Sequence, residues 1–231
     1  MTYSIIARCP DTGRFGIGIA TYSVAVGQWC HGVDDRAGVT MSQAFVRYVN
    51  NDLALSLLRQ GFSAASVTRA LLEDDDYPDY RQIGTVSRDG RASCHTGPGA
   101  RGWAGHRLGD GYVAMGNVLS GEPVVQAMAV SFEDGAGQVL EARLLAALAA
   151  GRDAGGQSNG VHPLGERSAA LIVSASDALP RTDLRVDLHQ QAVDELARVY
   201  AFCNRYAHYY KARGLRPVDA PAQEAFEKSL A

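Results

Sequence analysis

The sequence predicts an α+β fold, a four-layer αββα sandwich with two stacked antiparallel sheets and paired helices outside them. Three observations predict it. Strand signals come in consecutive hairpins, helix signals come in pairs, and the order runs strands, two helices, strands, two helices, strands, helix. A parallel βαβ sheet would alternate single strands with single helices. Grouped elements instead point to antiparallel sheets with segregated helical layers. No linker divides the 231 residues, so one domain is expected over 1–215, with a C-terminal tail over 216–231.

The opening hairpin, Met1 to Val26, organises the chain. Two β-branched runs, Thr2 to Arg8 and Phe15 to Thr21, flank Pro10-Asp11-Thr12-Gly13. Proline sets φ, aspartate closes a side-chain turn and glycine takes the left-handed position. Tyr22 to Gly27 stays small and apolar, and Asp34-Asp35-Arg36 makes a polar turn before a buried strand over Ala37 to Val46. Asn51 or Asp52 can cap a helix over Leu53 to Gln60, and Ser63 can cap another over Ala64 to Leu72. Gln82–Ser87 and Ala92–Thr96 read as strands around Asp89-Gly90, a type I′ hairpin signal.

Gly97 to Gly111 is glycine-rich, and Tyr112 to Leu119 returns as a strand. Pro123 starts a helix whose apolar face holds Val124, Met128 and Phe132. Gln138 to Ala150 makes the second of that pair, with Leu144 and Leu148 on its stripe and Gly151 as its stop. A polar loop over Arg152 to Gly165 precedes strands at Ser168–Ser174 and Leu184–Leu188, and a long helix covers about Gln190 to Arg213.

Composition narrows the class of function. At 46% hydrophobic and 20% charged residues the chain is globular. A net charge of −3 without a basic block argues against nucleic acid as a partner. No apolar run reaches the roughly 20 residues of a membrane span, and no signal peptide is expected. Cys9, Cys30, Cys94 and Cys203 lack CxxC spacing, which suits reduced thiols in a cytoplasmic protein and no metal site. No cofactor is expected. The aromatic run Tyr200, Phe202, Tyr206, Tyr209 and Tyr210 reads as core or subunit contact, and a homo-oligomer is expected.

Thr2 is the leading chemical candidate. Once Met1 is removed, one residue carries both a hydroxyl and a free amine of pKa about 8. Threonine with a terminal amine is an activated nucleophile, although threonine at position two also simply permits methionine removal. Asn117, after Gly116, could donate an amide to an oxyanion or satisfy its own backbone. Ser42, on a strand beside the hairpin, could face Thr2 or bond a neighbouring carbonyl. His95 and His106 could bind substrate or shuttle protons, or hydrogen-bond loop carbonyls. Arg81 and Arg185 could clamp a carboxylate, or pair with Asp79 and Asp187. Cys30 or Cys94 is a weaker alternative nucleophile.

Motifs along nearly the whole chain are similar to a bacterial and archaeal family known as domain of unknown function 1028. They include Met-Thr-Tyr-Ser-Ile-Ile-Ala-Arg (1–8), Asp79-Tyr80-Arg81-Gln82, His95-Thr96-Gly97 and Trp103-Ala104-Gly105-His106. Gly109-Asp110-Gly111-Tyr112, Gly116-Asn117 and Asp183-Leu184-Arg185-Val186-Asp187 continue the series. The resemblance implies an Ntn-hydrolase-like fold. The opening hairpin also resembles proteasome-type threonine hydrolases, which implies Thr2 as nucleophile. Those enzymes tune the amine with an Asp after the second strand and a later Lys. Here Thr21, Tyr22 and Ser23 occupy the Asp region, and the nearest cations are Arg36 and Arg47, which can act by charge but not as bases. Arg36 joins His95, His106 and Arg81 as a substrate-binding candidate. The expected function is hydrolysis of a small amide or related C–N bond, the substrate being a small molecule. The alternative is a non-catalytic binding or accessory protein on the same fold.

Overall fold

In the computed structural model, which describes residues 1–176 and 180–230, two β-sheets lie face to face between two helical layers. The strands are β1 (Thr2–Arg8), β2 (Phe15–Thr21), β3 (His31–Asp34), β4 (Gly38–Ala44), β5 (Arg81–Ser87) and β6 (Ala92–Thr96). They continue with β7 (Trp103–Gly109), β8 (Tyr112–Leu119), β9 (Gln157–Ser158), β10 (Pro163–Leu164), β11 (Ser168–Val173) and β12 (Thr182–Val186). The helices are α1 (Val49–Arg59), α2 (Ala64–Glu73), α3 (Glu122–Asp134), α4 (Leu140–Asp153), α5 (Ala192–Leu215) and α6 (Gln223–Lys228).

The larger sheet runs β10-β9-β8-β1-β2-β11-β12, with β7 also paired to β8, and the smaller runs β3-β4-β5-β6. Every pairing is antiparallel. Strand alternation then decides which side chains meet. Ile6, Ile17, Met41, Val86 and Met115 fill the space between the sheets. Ile83 points the other way, onto Leu55, Leu58, Val67 and Leu71 of α1 and α2. Gly16 and Gly18 let α4 approach the larger sheet, since a Cβ at either would press on Leu144 or Leu148.

The chain divides into two compact units, Met1–Leu196 and Ala197–Ala231. In the second, the Tyr209 ring stacks on Phe226 of α6 at 4.3 Å, and Tyr206 packs beside them.

Four local readings are corrected. α1 begins at Val49, because Asn50 and Asn51 are buried and bond Ser42 Oγ and the Trp29 carbonyl instead of capping a helix. α4 passes through Gly151, where a Cβ would lie 2.7 Å from Met128, so this glycine serves close packing and not termination. At the β5–β6 turn Gly90 has φ +83° while Asp89 is not left-handed, which excludes type I′ and leaves a single left-handed glycine. β7 lies inside the glycine-rich stretch, its strand character hidden by Gly105 and Gly109. Ser63 does cap α2, accepting from the Ser66 N–H at 3.1 Å.

Candidate active site

Along β1, Thr2, Ser4 and Ile6 all face the smaller sheet. Ile6 belongs to the apolar inter-sheet core, but toward the chain start the same row turns polar. Thr2 is the cross-strand neighbour of Thr21 on one side and Asn117 on the other. Its Oγ1 lies 3.2 Å from Thr21 Oγ1, and Thr21 Oγ1 donates to the Met1 carbonyl. Thr2, Thr21 and Asn117 are all buried.

Across the inter-sheet space stands a chain of neutral amides centred on Gln82, which is fully buried. The two N–H groups of Gln82 Nε2 are shared among three acceptors, the backbone carbonyls of Gly105 and Gly116 at 3.1 and 2.9 Å and Thr96 Oγ1 at 2.9 Å. Carbonyls only accept, so these bonds settle which end of the Gln82 amide is nitrogen. Its Oε1 must then accept, from Gln43 Nε2 at 2.8 Å and Asn117 Nδ2 at 3.1 Å. Gln43 Oε1 in turn accepts from Ser4 Oγ at 2.8 Å. Two backbone carbonyls thereby orient three side-chain amides. Gln43 and Asn117 each keep one N–H that no described residue takes up.

Backbone strain gathers at the same place. Among the described residues, three non-glycine residues have positive φ: Ala25 (54°), Ala44 (70°) and Val118 (55°). Ala44 and Val118 directly follow Gln43 and Asn117, and the β7–β8 register shifts between Trp103 and Ala104, opposite them. A left-handed β-branched residue is costly, roughly 1–3 kcal/mol, and such outliers concentrate where a site must be shaped.

A cleft of about 260 Å³ opens over Thr2. Its lining combines polar Thr2, Thr21, Ser23 and Gln43 with Met1, Val24, Val26, Trp29, Cys30, Ala44, Val46 and Tyr48. No acidic or basic side chain lines it. Burial pushes the Cys30 thiol up to about 12, against the smaller pull of the terminal ammonium. Burial also raises the Cys94 thiol. Both sulfurs are therefore protonated at neutral pH, which argues against a thiolate nucleophile. The Met1 amine is held below its usual value by burial, with Cys30 opposing. A larger groove of about 600 Å³ by Arg167 and Leu188–Gln191 is lined by no hydroxyl or thiol. Among the described residues no three metal-ligating side chains converge, and no helix is long and apolar enough to cross a membrane.

The sequence candidates scatter around this geometry. Thr2 lines the cleft, and Asn117 is its cross-strand neighbour on β8, just outside the lining. Ser42 does not reach the cleft: Val39, Met41 and Gln43 face inward on β4, so Ser42 faces α1, where it accepts from Asn50 Nδ2 at 3.4 Å. Arg36 lies in the β3–β4 turn at the opposite end, with β4 from Gly38 to Gln43 between it and the site, roughly 17 Å at strand rise. Arg81 reaches the right end of its sheet, but its fork is spent on Asp75 at 2.7 and 3.1 Å and on the Phe45 carbonyl at 2.8 Å. Its partner is Asp75, not Asp79, just as Arg185 pairs with Asp183 and not Asp187. His95 Nε2 meets the Pro78 carbonyl at 3.1 Å, a structural contact away from the cleft. His106 Nδ1 bonds Thr96 Oγ1 at 2.9 Å and so touches the outer end of the amide chain. Sequence reasoning missed Ser4, Thr21, Gln43 and Gln82. For Gln43 a signal existed, since it shares the inward parity of Val39 and Met41.

A model of the family described as a family of unknown function, DUF1028, matches residues 2–196. That span coincides with the first compact unit. Among solved structures, the crystal structure of protein SPO2555 from Silicibacter pomeroyi, titled with the same family, is similar at a TM-score of 0.78. Sequence identity is 30%, covering 92% of this chain and 89% of that one. No curated protein matches.

Proposed function

This chain belongs to the DUF1028 family, and we propose that it is an N-terminal-nucleophile hydrolase that cleaves a small amide or related C–N bond through Thr2. The observation that carries the proposal is the Thr2 hydroxyl, buried at the polar end of the inter-sheet space, inside a cleft and beside two oriented amides. The layered αββα arrangement supports it, as does the resemblance of the opening hairpin to threonine hydrolases.

Chemistry begins with loss of Met1. Its carbonyl leaves, which frees the Thr21 hydroxyl and exposes the Thr2 amine next to the Thr2 hydroxyl. The amine takes the proton as Oγ1 attacks the substrate carbonyl. The spare N–H groups of Asn117 and Gln43 are the side-chain donors nearest to hand for the oxyanion. The tetrahedral species collapses as the leaving amine takes the proton, giving a Thr2 ester. Water, deprotonated by the same terminal amine, then releases the carboxylic acid. In proteasome-type enzymes charge tunes the amine. In this structure burial holds the Met1 amine below its usual value by disfavouring the ammonium form, which supports the same use of burial at this end of the chain.

Intact mass of protein from its native host establishes the N-terminal residue, and an amide panel on Thr2→Ala tests the nucleophile. The expected outcome is a chain starting at Thr2 and a variant reduced at least 1000-fold. A retained Met1, or full activity of Thr2→Ala, sinks the reading.

One observation favours a second reading. Thr21, Tyr22 and Ser23 occupy the region of the helper Asp, and no lysine or other charged side chain lines the cleft. A non-catalytic binding protein would need no such charges, would be stabilised by a ligand without turnover, and would tolerate an uncleaved Met1.

A further inference from the structure

The chemistry of the cleft says what kind of substrate enters it. No Asp, Glu, Lys, Arg or His side chain lines it, and the terminal amine must be neutral to act as base, so no fixed counter-charge meets a charge carried in with the acyl group. Three arginines on segments that flank the lining residues are engaged. Arg47 binds Asn50 and Asp74, Arg81 binds Asp75, and Arg101 lies over the Phe45 ring at 5.2 Å. Burying an unpaired carboxylate or ammonium here would forfeit most of its hydration, whereas a hydrocarbon or aromatic group gains by burial.

The lining also divides by chemistry. The hydroxyls and the Gln43 amide lie on β1, β2 and β4, while Val24, Val26 and the tilted pair Trp29 and Tyr48, whose ring centroids are 5.2 Å apart, supply apolar surface. Trp29 and Tyr48 are exposed at 42% and 61% although both are large and apolar, which leaves ring surface open to a ligand. Met1 is itself part of the lining of this cleft of about 260 Å³, so its removal opens room beside Thr2 for a small acyl group.

We infer that the substrates are amides of small, uncharged acyl groups with an apolar or aromatic body, held against Val24, Trp29 and Tyr48 while Thr2 attacks the carbonyl. This inference rests on the reading of Thr2 as nucleophile. Charged acyl groups, such as glutamyl or lysyl types, are excluded by the cost of entering a wall without counter-charge.

The test uses the full chain with Met1 removed, verified by mass, and four aminomethylcoumarin amides of similar size. Their acyl groups are butyryl, phenylacetyl, succinyl and 4-aminobutyryl. The neutral pair is expected to exceed the charged pair at least 100-fold in kcat/KM. Tyr48→Ala and Trp29→Ala should raise KM for the phenylacetyl amide about tenfold with kcat retained. Val24→Asp, at a site 49% exposed and therefore tolerant of substitution, should move the preference toward 4-aminobutyryl by tenfold or more. Equal turnover of charged and neutral amides, or a Val24→Asp ratio equal to that of the parent, overturns the inference and leaves the nucleophile standing. Turnover that survives Thr2→Ala overturns the nucleophile itself, and so does the absence of turnover on all four amides.

Discussion

The two ends of the opening hairpin are built on opposite electrostatic plans. At the turn end, Arg14 is buried and pairs with Glu141 of α4 at 2.8 Å, with side-chain exposures of 5% and 8%. Its other donors reach the Ser174 and Pro180 carbonyls, and Thr182 completes the Glu141 carboxylate. At the Thr2 end the side chains that hold one another are all neutral. Gln82, Gln43 and Asn117 hold one another by neutral hydrogen bonds anchored on backbone carbonyls. Both devices fix side chains in place. Only the second places the amino end beside neutral side chains, where burial holds the Met1 amine below its usual value.

The largest expected effect breaks the charged end. Glu141→Ala leaves Arg14 buried without its counter-ion, and a loss of about 3–5 kcal/mol in urea unfolding is expected. Reaction at Thr2 per folded molecule should not change. A loss below about 1 kcal/mol would mean that the pair is solvated and the contrast between the two ends is false.

Next comes the neutral hub. Gln82→Leu strands the Gly105 and Gly116 carbonyls and one N–H each of Gln43 and Asn117, at a cost of about 2–3 kcal/mol. Thr2 acylation should fall more than tenfold as the two amides lose their orientation. Gln82→Glu separates geometry from stability. The introduced carboxyl, when neutral, still donates to one carbonyl, but when ionised it opposes both, so its folded pKa is raised above the usual carboxyl value of about 4.3. With the folded value raised, stability is retained at low pH and lost as pH climbs from about 4.3 through the folded value. Melting curves at pH 5 and pH 8 check this, and a variant equally stable at both would remove Gln82 from the hub.

How far the sequence disclosed these two ends follows from what each signal depends on. Thr2 was legible because its chain position is itself chemical, and Asn117 because an amide follows a glycine inside an apolar strand. The layer order was legible from the grouping of hairpins and helices. Gln82 was not, since on β5 its inward companions are Gly84 and Val86 while Ile83 packs outward, and composition cannot tell those faces apart. The Arg14–Glu141 pair joins a turn to a helix far along the chain, and no local pattern announces it. Arg81 drew notice as a possible clamp and is one, but for a carboxylate of its own chain.

A smaller effect extends the neutral end to its neighbour on β3. His31 is driven down to about 4, chiefly by burial, with Arg185 and Arg181 adding to it and Asp183 opposing. The unfolded chain takes up this proton near pH 6.5 and the folded chain not until about 4. Stability from this group is therefore present above about 6.5 and is lost as pH falls toward 4. With the ring partly exposed, about 1–2 kcal/mol is expected. Comparing denaturant midpoints of the parent and His31→Gln between pH 7 and pH 4 isolates it. Equal slopes would show that His31 is hydrated and charged in the fold.

The smallest effect concerns two adjacent residues on one strand. Ser42 and Gln43 are both fully buried, yet period-two alternation sends one toward α1 and the other toward Thr2. The only described partner of the Ser42 hydroxyl is Asn50, at 3.4 Å, long for a bond of any strength. Ser42→Ala should therefore cost no more than about 1 kcal/mol and leave Thr2 acylation within twofold. Gln43→Ala, one residue on, should lower acylation more than tenfold, because it removes an amide from the cleft wall and the acceptor of Ser4. A reversed pair of results would require β4 to be shifted by one residue. That shift would carry Met41 out of the inter-sheet core, which a one-residue slip cannot do without exposing that whole face.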